Sequence, residues 1–155
     1  MIMKEMRHQL LKVLHDNGIN YIRIRIWNDP FNADGETYGG GGNDVSTGVE
    51  IAKEAAQYDM KVLLDFHYSD FWAEPAVQLV PKAWKKDVNN TEKMCSDVYD
   101  FTKESIQKFK DAGANIGMVQ VGNEITNGLL GIYSNRDKGE SFNVIVGRIK
   151  RNQQK

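Results

Sequence analysis

The stretch YIRIRIW (residues 21–27) decides the fold, because its residues alternate strictly between two faces. Ile22, Ile24 and Ile26 share one face, and Arg23 and Arg25 lie on the other. This period of two predicts a β-strand. The isoleucine face suits packing beneath helices, whereas an uncompensated arginine on an enclosed face is costly. The strand is therefore expected to find buried carboxylate partners; the alternative is an exposed face with solvated arginines.

Helical and strand patterns alternate on either side of this stretch. Further strands are predicted at residues 60–68 (MKVLLDFHY) and 116–124 (IGMVQVGNE). One helix is predicted before the first strand, and another from about Ser141. Two more are predicted to begin at the N-caps Asp44 and Thr91. The apolar residues of the first helix recur at helical spacing: Met3, Met6, Leu10, Val13 and Leu14. Those of the third helix share one face: Met94, Val98, Phe101, Ser105 and Phe109.

Strands separated by helices imply a parallel sheet with crossover connections. The loops after the strands are long and carry the unusual residues, which is typical of a (β/α) barrel. A doubly wound sheet would have the same order, but the glycine fingerprint of nucleotide-binding folds does not directly follow a strand. A complete barrel has eight strands and about 250 residues. Residues 1–155 are therefore predicted to be a single domain of the α/β class. The sequence predicts a partial (β/α)8 TIM barrel of about three parallel strands, truncated at both ends.

The composition excludes several classes of protein. The 155 residues are 41% apolar and 26% charged with a formal net charge of −1, and no basic stripe suggests nucleic acid. No apolar stretch approaches the roughly 20 residues of a membrane span. The N-terminal region lacks the continuous apolar core of a signal peptide. Cys95 is the only cysteine, so no intrachain disulfide can form and the compartment stays open.

Polar residues follow the predicted strands at one end. In the second strand Asp65 can pair with an arginine, and His67 lies nearer the rim. After the third strand, simple alternation would separate Asn123 from Glu124. A bend at Gly122 would let both reach one site. There, a partly desolvated Glu124 near another carboxylate could act as a general acid, and Asn123 could bind a substrate hydroxyl.

Aromatic residues lie in or beside the loops that follow the strands. Because aromatic faces stack on sugar rings, a cleft lined by them suits a carbohydrate, although ordinary loop packing explains about half of them equally well. These residues are Trp27, Tyr38, Tyr68, Phe71, Trp72 and Trp84.

Three stretches together resemble glycoside hydrolase family 53, the arabinogalactan endo-β-1,4-galactanases. They are NYIRIRIWNDP, KVLLDFHYSDFWAEPAVQLVPKAW and GMVQVGNEITNGLLG, and the similarity runs from about residue 10 to residue 131. The resemblance implies a retaining hydrolase with a (β/α)8 barrel that cleaves internal β-1,4-galactosidic bonds of pectin galactan. The 155 residues would cover the first to the fourth helix of that barrel.

The resemblance also implies roles for individual residues. Glu124 would be the acid/base on the fourth strand of the barrel, and Asn123 would hold the sugar hydroxyl beside the reacting carbon. Arg25 and His67 would support the site, and Asp65 joins them as an expected substrate-binding residue. Trp72 and the loop from Gln78 to Trp84 would help line the cleft.

The sequence departs from the family in ways that affect activity. The family's nucleophile is a glutamate on the seventh strand, and no carboxylate follows Glu140. Retaining cleavage needs two carboxyl groups about 5–5.5 Å apart, so the 155 residues alone are expected to be inactive. The segment NEITNG has one residue more than the NETNG form common in bacterial members. The alternatives are a hydrolase of the same clan acting on another β-linked polysaccharide, or a carbohydrate-binding half-barrel without catalysis.

The expected partner is β-1,4-galactan or arabinogalactan, with no nucleic acid and no membrane. The resemblance implies an extracellular location for the full-length protein. No cofactor or metal is expected; some bacterial relatives bind calcium, but no ligand cluster is recognised in these residues. Open barrel edges predict self-association.

Overall fold

The centre of the computed structural model, which describes residues 2–133, is a three-stranded parallel sheet. Its strands are β1 (Tyr21–Ile26), β2 (Lys61–Phe66) and β3 (Ile116–Val121), with β2 in the middle. In register, Arg25 lies opposite Asp65, and Asp65 lies opposite Gln120. The three predicted strands are confirmed, and apolar residues of β1 and β2 pack one face of the sheet against helices. The helix predicted from about Ser141 lies outside the described residues.

Helices connect the strands as a parallel sheet requires. Helix α1 (Ile2–Asp16) precedes β1, and α2 (Val45–Ala56) joins β1 to β2. A 3₁₀ helix (Lys82–Asp87) and α3 (Thr91–Asp111) join β2 to β3. After β3, the short strands β4 (Gly128–Leu129) and β5 (Ile132–Tyr133) form an antiparallel hairpin. Within residues 2–133, no helix combines the length and apolar character needed to cross a bilayer.

The N-caps show where the helices begin. The carboxylate of Asp44 accepts a hydrogen bond from the backbone N–H of Thr47 at 2.8 Å, which confirms Asp44 as the cap of α2. The prediction that Thr91 caps α3 is wrong by one residue. Asn90 is the cap, because its side-chain oxygen accepts from the N–H of Lys93, three residues on, at 3.0 Å.

The core lies between the sheet and α2 and α3. Ile24 and Ile26 of β1 are buried beside their register partners Leu64 and Phe66 of β2. Helix α2 approaches β1 closely at Gly48, where an added Cβ would lie 2.6 Å from the Ile26 side chain. The helical spacing in α3 is confirmed, since all five residues that share its predicted face are buried or packed against the core.

Helix α1 packs through one edge of its apolar stripe, where Leu14 lies against the core. Leu11 is buried in the core, whereas Met6, Leu10 and Val13 are exposed. Arg7 contributes to this orientation, because its guanidinium donates to both carboxylate oxygens of the buried Glu54 in α2, at 2.7 and 2.8 Å. The helical period predicts which residues share a face, but it does not predict which face is covered.

Candidate active site

A concave pocket of about 360 Å³ lies where the polar residues of the three strands meet. Its lining combines β1, the loop after β2 and the turn after β3, as expected for the carboxyl ends of parallel strands. The lining residues are Arg23, Arg25, His67, Trp72, Asn123 and Glu124.

The two arginines of β1 have different partners. Arg23 donates to Asp65 Oδ2 through Nη2 at 2.7 Å and through Nε at 3.1 Å, and Asp65 is fully buried. This confirms the predicted pairing of an arginine with Asp65, although the Arg23 side chain is 53% exposed. The guanidinium carbon of Arg25 lies 3.9 Å from the ring centre of Trp72, close enough for a cation–π contact.

His67 has a protein partner on each ring nitrogen. Its Nδ1 accepts a hydrogen bond from the backbone N–H of Ala73 at 3.2 Å, and its Nε2 lies 3.2 Å from Asp65 Oδ2. Since Nδ1 accepts, a neutral imidazole carries its proton on Nε2 and donates it to Asp65. His67 therefore ties the loop after β2 to Asp65, and its buried ring lies against the pocket.

The amide of Asn123 is held from three sides. Its Oδ1 accepts from Arg23 Nη2 at 2.8 Å and from Gln120 Nε2 at 3.2 Å. Its Nδ2 donates to the carbonyl oxygen of Ala73 at 2.8 Å. Among the described residues, these contacts leave one amide N–H, which can donate to a hydroxyl oxygen in the pocket.

The chain bends after β3, as the sequence predicts. Gly122 has φ of 86° and Glu124 has φ of 50°, and the side chains of Asn123 and Glu124 both line the pocket. A non-glycine residue in this left-handed region is uncommon and often marks a functional site. Glu124 is exposed, so the partial desolvation expected of its carboxylate is not present within residues 2–133.

Comparison with known proteins identifies the family of the chain. The sequence matches Glycosyl hydrolase family 53 over residues 3–151. The chain belongs to this family.

Similar proteins carry names of the same activity. The chain is 51% identical over 125 residues to the endo-β-1,4-galactanase of Bacillus subtilis (strain 168), a match covering 81% of this chain and 29% of that protein. It is 36% identical over 118 residues to the arabinogalactan endo-β-1,4-galactanase of Humicola insolens, covering 76% of this chain and 32% of that protein. The match to the GH53 catalytic domain of Ignisphaera aggregans has a TM-score of 0.72 and 41% identity. It covers 79% of this chain and 34% of that chain.

The chain thus spans about a third of the length of the family 53 proteins that it matches. Its three parallel strands and their helices form a partial (β/α) barrel, in agreement with the predicted fold class. The family identified from the sequence is confirmed.

Trp84 does not line the pocket as predicted from the family resemblance. It is buried in the core, where its ring meets Phe101 edge-on at 5.7 Å and lies 6.4 Å from Tyr68. The 3₁₀ helix at residues 82–87 places Trp84 against these core rings. Trp72, in contrast, is 43% exposed and reaches the pocket.

Gln78 and Asp65 support the pocket without lining it. Gln78 is buried, and its Nε2 donates to the main-chain oxygen of Asn123 at 2.9 Å. Asp65 uses Oδ2 to hold both Arg23 and His67. These contacts are structural, and the substrate-binding role expected of both residues stays a prediction.

Sequence reasoning missed Arg23, Gln120 and Ala73 as parts of the site. The alternating pattern gave a signal for Arg23, which shares a face with Arg25. Ala73 acts through its main chain, which leaves no signal in the side-chain pattern. Of the six aromatic residues singled out, Trp27, Tyr68 and Trp84 are buried. Burial raises the pKa of the Tyr68 hydroxyl, which is hydrogen-bonded to Thr102 at 2.8 Å.

Two loops that flank the pocket are joined by ionic and main-chain contacts. Lys82 pairs with Asp29 at 2.9 Å, and this contact lowers the pKa of the Asp29 carboxyl. Asp70 accepts hydrogen bonds from the N–H groups of Asp29 and Lys82. Within residues 2–133, no three His, Cys, Asp or Glu side chains form a group able to hold a metal ion.

Proposed function

We propose that the pocket is the acid/base half of the active site of an endo-β-1,4-galactanase. The observation that carries this proposal is the shared pocket of Asn123 and Glu124, formed by the bend at Gly122. The names of the similar family 53 proteins support β-1,4-galactan or arabinogalactan as the substrate. For the whole protein we propose an extracellular hydrolase of pectin galactan.

The proposed reaction is retaining and uses two carboxyl groups. Glu124 gives its proton to the glycosidic oxygen as that bond breaks, while a second carboxylate forms a bond to the anomeric carbon. Glu124 then takes a proton from water, and the water oxygen displaces the second carboxylate. The remaining N–H of Asn123 donates to the sugar hydroxyl beside the reacting carbon.

Trp72 forms the proposed sugar platform. Its ring is exposed in the pocket, and Arg25 lies over it at 3.9 Å. Stacking of an apolar sugar face on the side of this ring that Arg25 leaves open would place the sugar in the pocket that Glu124 also lines.

The same pocket supports a second candidate, carbohydrate binding without cleavage by these 155 residues. Within the described residues, Glu124 is the only carboxylate among the pocket-lining side chains. Retaining cleavage requires a second one about 5–5.5 Å away. We therefore propose that these 155 residues alone bind galactan and release no sugar above background.

The test is titration of the purified chain with β-1,4-galactotetraose, together with reducing-sugar release from β-1,4-galactan. Binding should weaken at least tenfold in Trp72→Ala and persist in Glu124→Gln. Tyr99→Ala, which removes an exposed ring from α3, is the matched control. Cello- and mannotetraose serve as competing substrates.

The outcomes separate the two candidates. Equal or absent binding of all three tetrasaccharides would overturn the galactan proposal. If the unaltered chain releases sugar and Glu124→Gln does not, the proposed inactivity of the 155 residues is wrong. Glu124 would then stand as the acid/base.

A further inference from the structure

Gln78 lies behind the turn that carries Asn123 and Glu124. It is 2% exposed, and its side chain extends from the loop after β2 to the turn after β3. Its Nε2 lies 3.0 Å from the carbonyl oxygen of Glu74, 2.9 Å from that of Asn123 and 3.5 Å from that of Glu124. Three acceptors around one atom require the amide nitrogen at this place, because the amide oxygen would face three carbonyl oxygens.

The two contacts on the turn lie on either side of the Glu124 Cα. The φ angle of Glu124 orients the peptide group that contains the Asn123 carbonyl, and its ψ angle orients the Glu124 carbonyl. A donor that holds both oxygens therefore restricts both angles. The short contact to Asn123 is the stronger of the two, since a distance of 3.5 Å is near the limit of a hydrogen bond.

The turn needs such support, because Glu124 has φ of 50° and carries a side chain. This conformation costs free energy and persists only where the surroundings determine it. The loop that carries Gln78 is itself fixed, since the Gln78 N–H donates to the Tyr133 hydroxyl at 2.7 Å and Asn127 donates to the Pro75 carbonyl at 3.2 Å.

We propose that Gln78 is a positioning residue that holds Glu124 in its left-handed conformation. Its amide thereby directs the Glu124 carboxylate and the Asn123 amide into one pocket. The catalytic meaning of this role rests on the proposed function, whereas the conformational role does not.

The experiment is NMR of the 155-residue chain with Gln78→Met, which keeps the side-chain length and removes both donors. The ¹³Cα and ¹³Cβ shifts of Glu124 should move from left-handed towards extended values. Gln107→Met, the same substitution on the exposed surface of α3, should leave them unchanged. Unchanged Glu124 shifts in Gln78→Met would overturn the proposal.

A second variant tests for rescue. In Gln78→Glu an ionised carboxylate would face the three carbonyls and release the turn, while the protonated acid regains one O–H donor. Lowering the pH should therefore return the amide resonances of residues 122–125 towards their positions in the unaltered chain at the same pH. No such return would contradict the proposal.

If either variant fails to fold, the proposal is tested by NMR of the unaltered chain instead. Nuclear Overhauser contacts from the Gln78 Nε2 protons to the Glu124 Hα are expected, and their absence would overturn the proposal. Titration with β-1,4-galactotetraose on the same samples tests the proposed function separately. If the Glu124 shifts change as expected but β-1,4-galactotetraose does not bind, the galactan assignment is overturned and the positioning role of Gln78 stands.

Discussion

Strands β2 and β3 are neighbours with similar apolar residues, yet they lie in opposite environments. Val62, Leu64 and Phe66 of β2 are fully buried. Val119 and Val121, the register partners of Leu64 and Phe66, are 38% and 54% exposed. Strand β2 has a neighbour on each side, whereas β3 is an edge of the sheet in the described residues. Strand β1 is also an edge of the described sheet, yet its Ile24 and Ile26 are buried. The difference therefore shows that cover by helices, rather than residue type or edge position, determines how much of each strand is buried.

The largest expected difference is between Phe66→Ala and Val121→Ala. Phe66→Ala should lower the free energy of unfolding by about 3–5 kcal/mol, because it leaves a cavity in the core. Val121→Ala should cost less than about 1 kcal/mol, since surface substitutions are usually mild. Urea denaturation of both variants measures the difference. A similar loss of unfolding free energy in both variants would show that the Val121 side chain is covered in solution.

An intermediate effect is expected at the paired positions Asp65 and Gln120. Asp65→Asn should cost about 2 kcal/mol, because it removes the charge of a fully buried partner of Arg23 and His67. Gln120→Ala should cost about 1 kcal/mol at most, since Gln120 is only partly buried. Thermal and urea unfolding provide the comparison. If Asp65→Asn is as stable as the unaltered chain, the ion pair of Arg23 with Asp65 makes no net contribution to stability.

The smallest effect concerns self-association through β3. Its exposed valines and its unpaired edge in residues 2–133 favour contact with another copy. We expect the sedimentation coefficient to rise with concentration, and Val121→Lys to raise the dissociation constant about fivefold, or about 1 kcal/mol. Val88→Lys, a similarly exposed valine outside the sheet, is the control. A sedimentation coefficient independent of concentration would contradict the prediction.

The sequence predicts much of the fold because local patterns determine it. Alternation gives β1, the Asp44 cap gives the start of α2, and a glycine before Asn123 indicates the bend. The partnership of an arginine with Asp65 follows from the cost of an isolated buried charge.

Other features depend on contacts that the local pattern does not contain. Trp72 and Trp84 belong to the same connection between β2 and α3, but Trp84 lies in the 3₁₀ helix and packs inward, whereas Trp72 reaches the pocket. The exposure of β3 depends on what covers it. The role of Gln78 depends on main-chain carbonyls, which any residue can provide.

The main chain of Ala73 has a consequence for mapping the site by mutagenesis. Its N–H reaches His67 and its carbonyl oxygen reaches Asn123, so one peptide segment links the second and third strands at the pocket. An alanine scan would skip this position, because the residue is already alanine. Substitution by larger residues would report only on the space around its methyl group. At position 73, the link responds only to changes that alter the backbone itself, such as a proline, which has no N–H to donate.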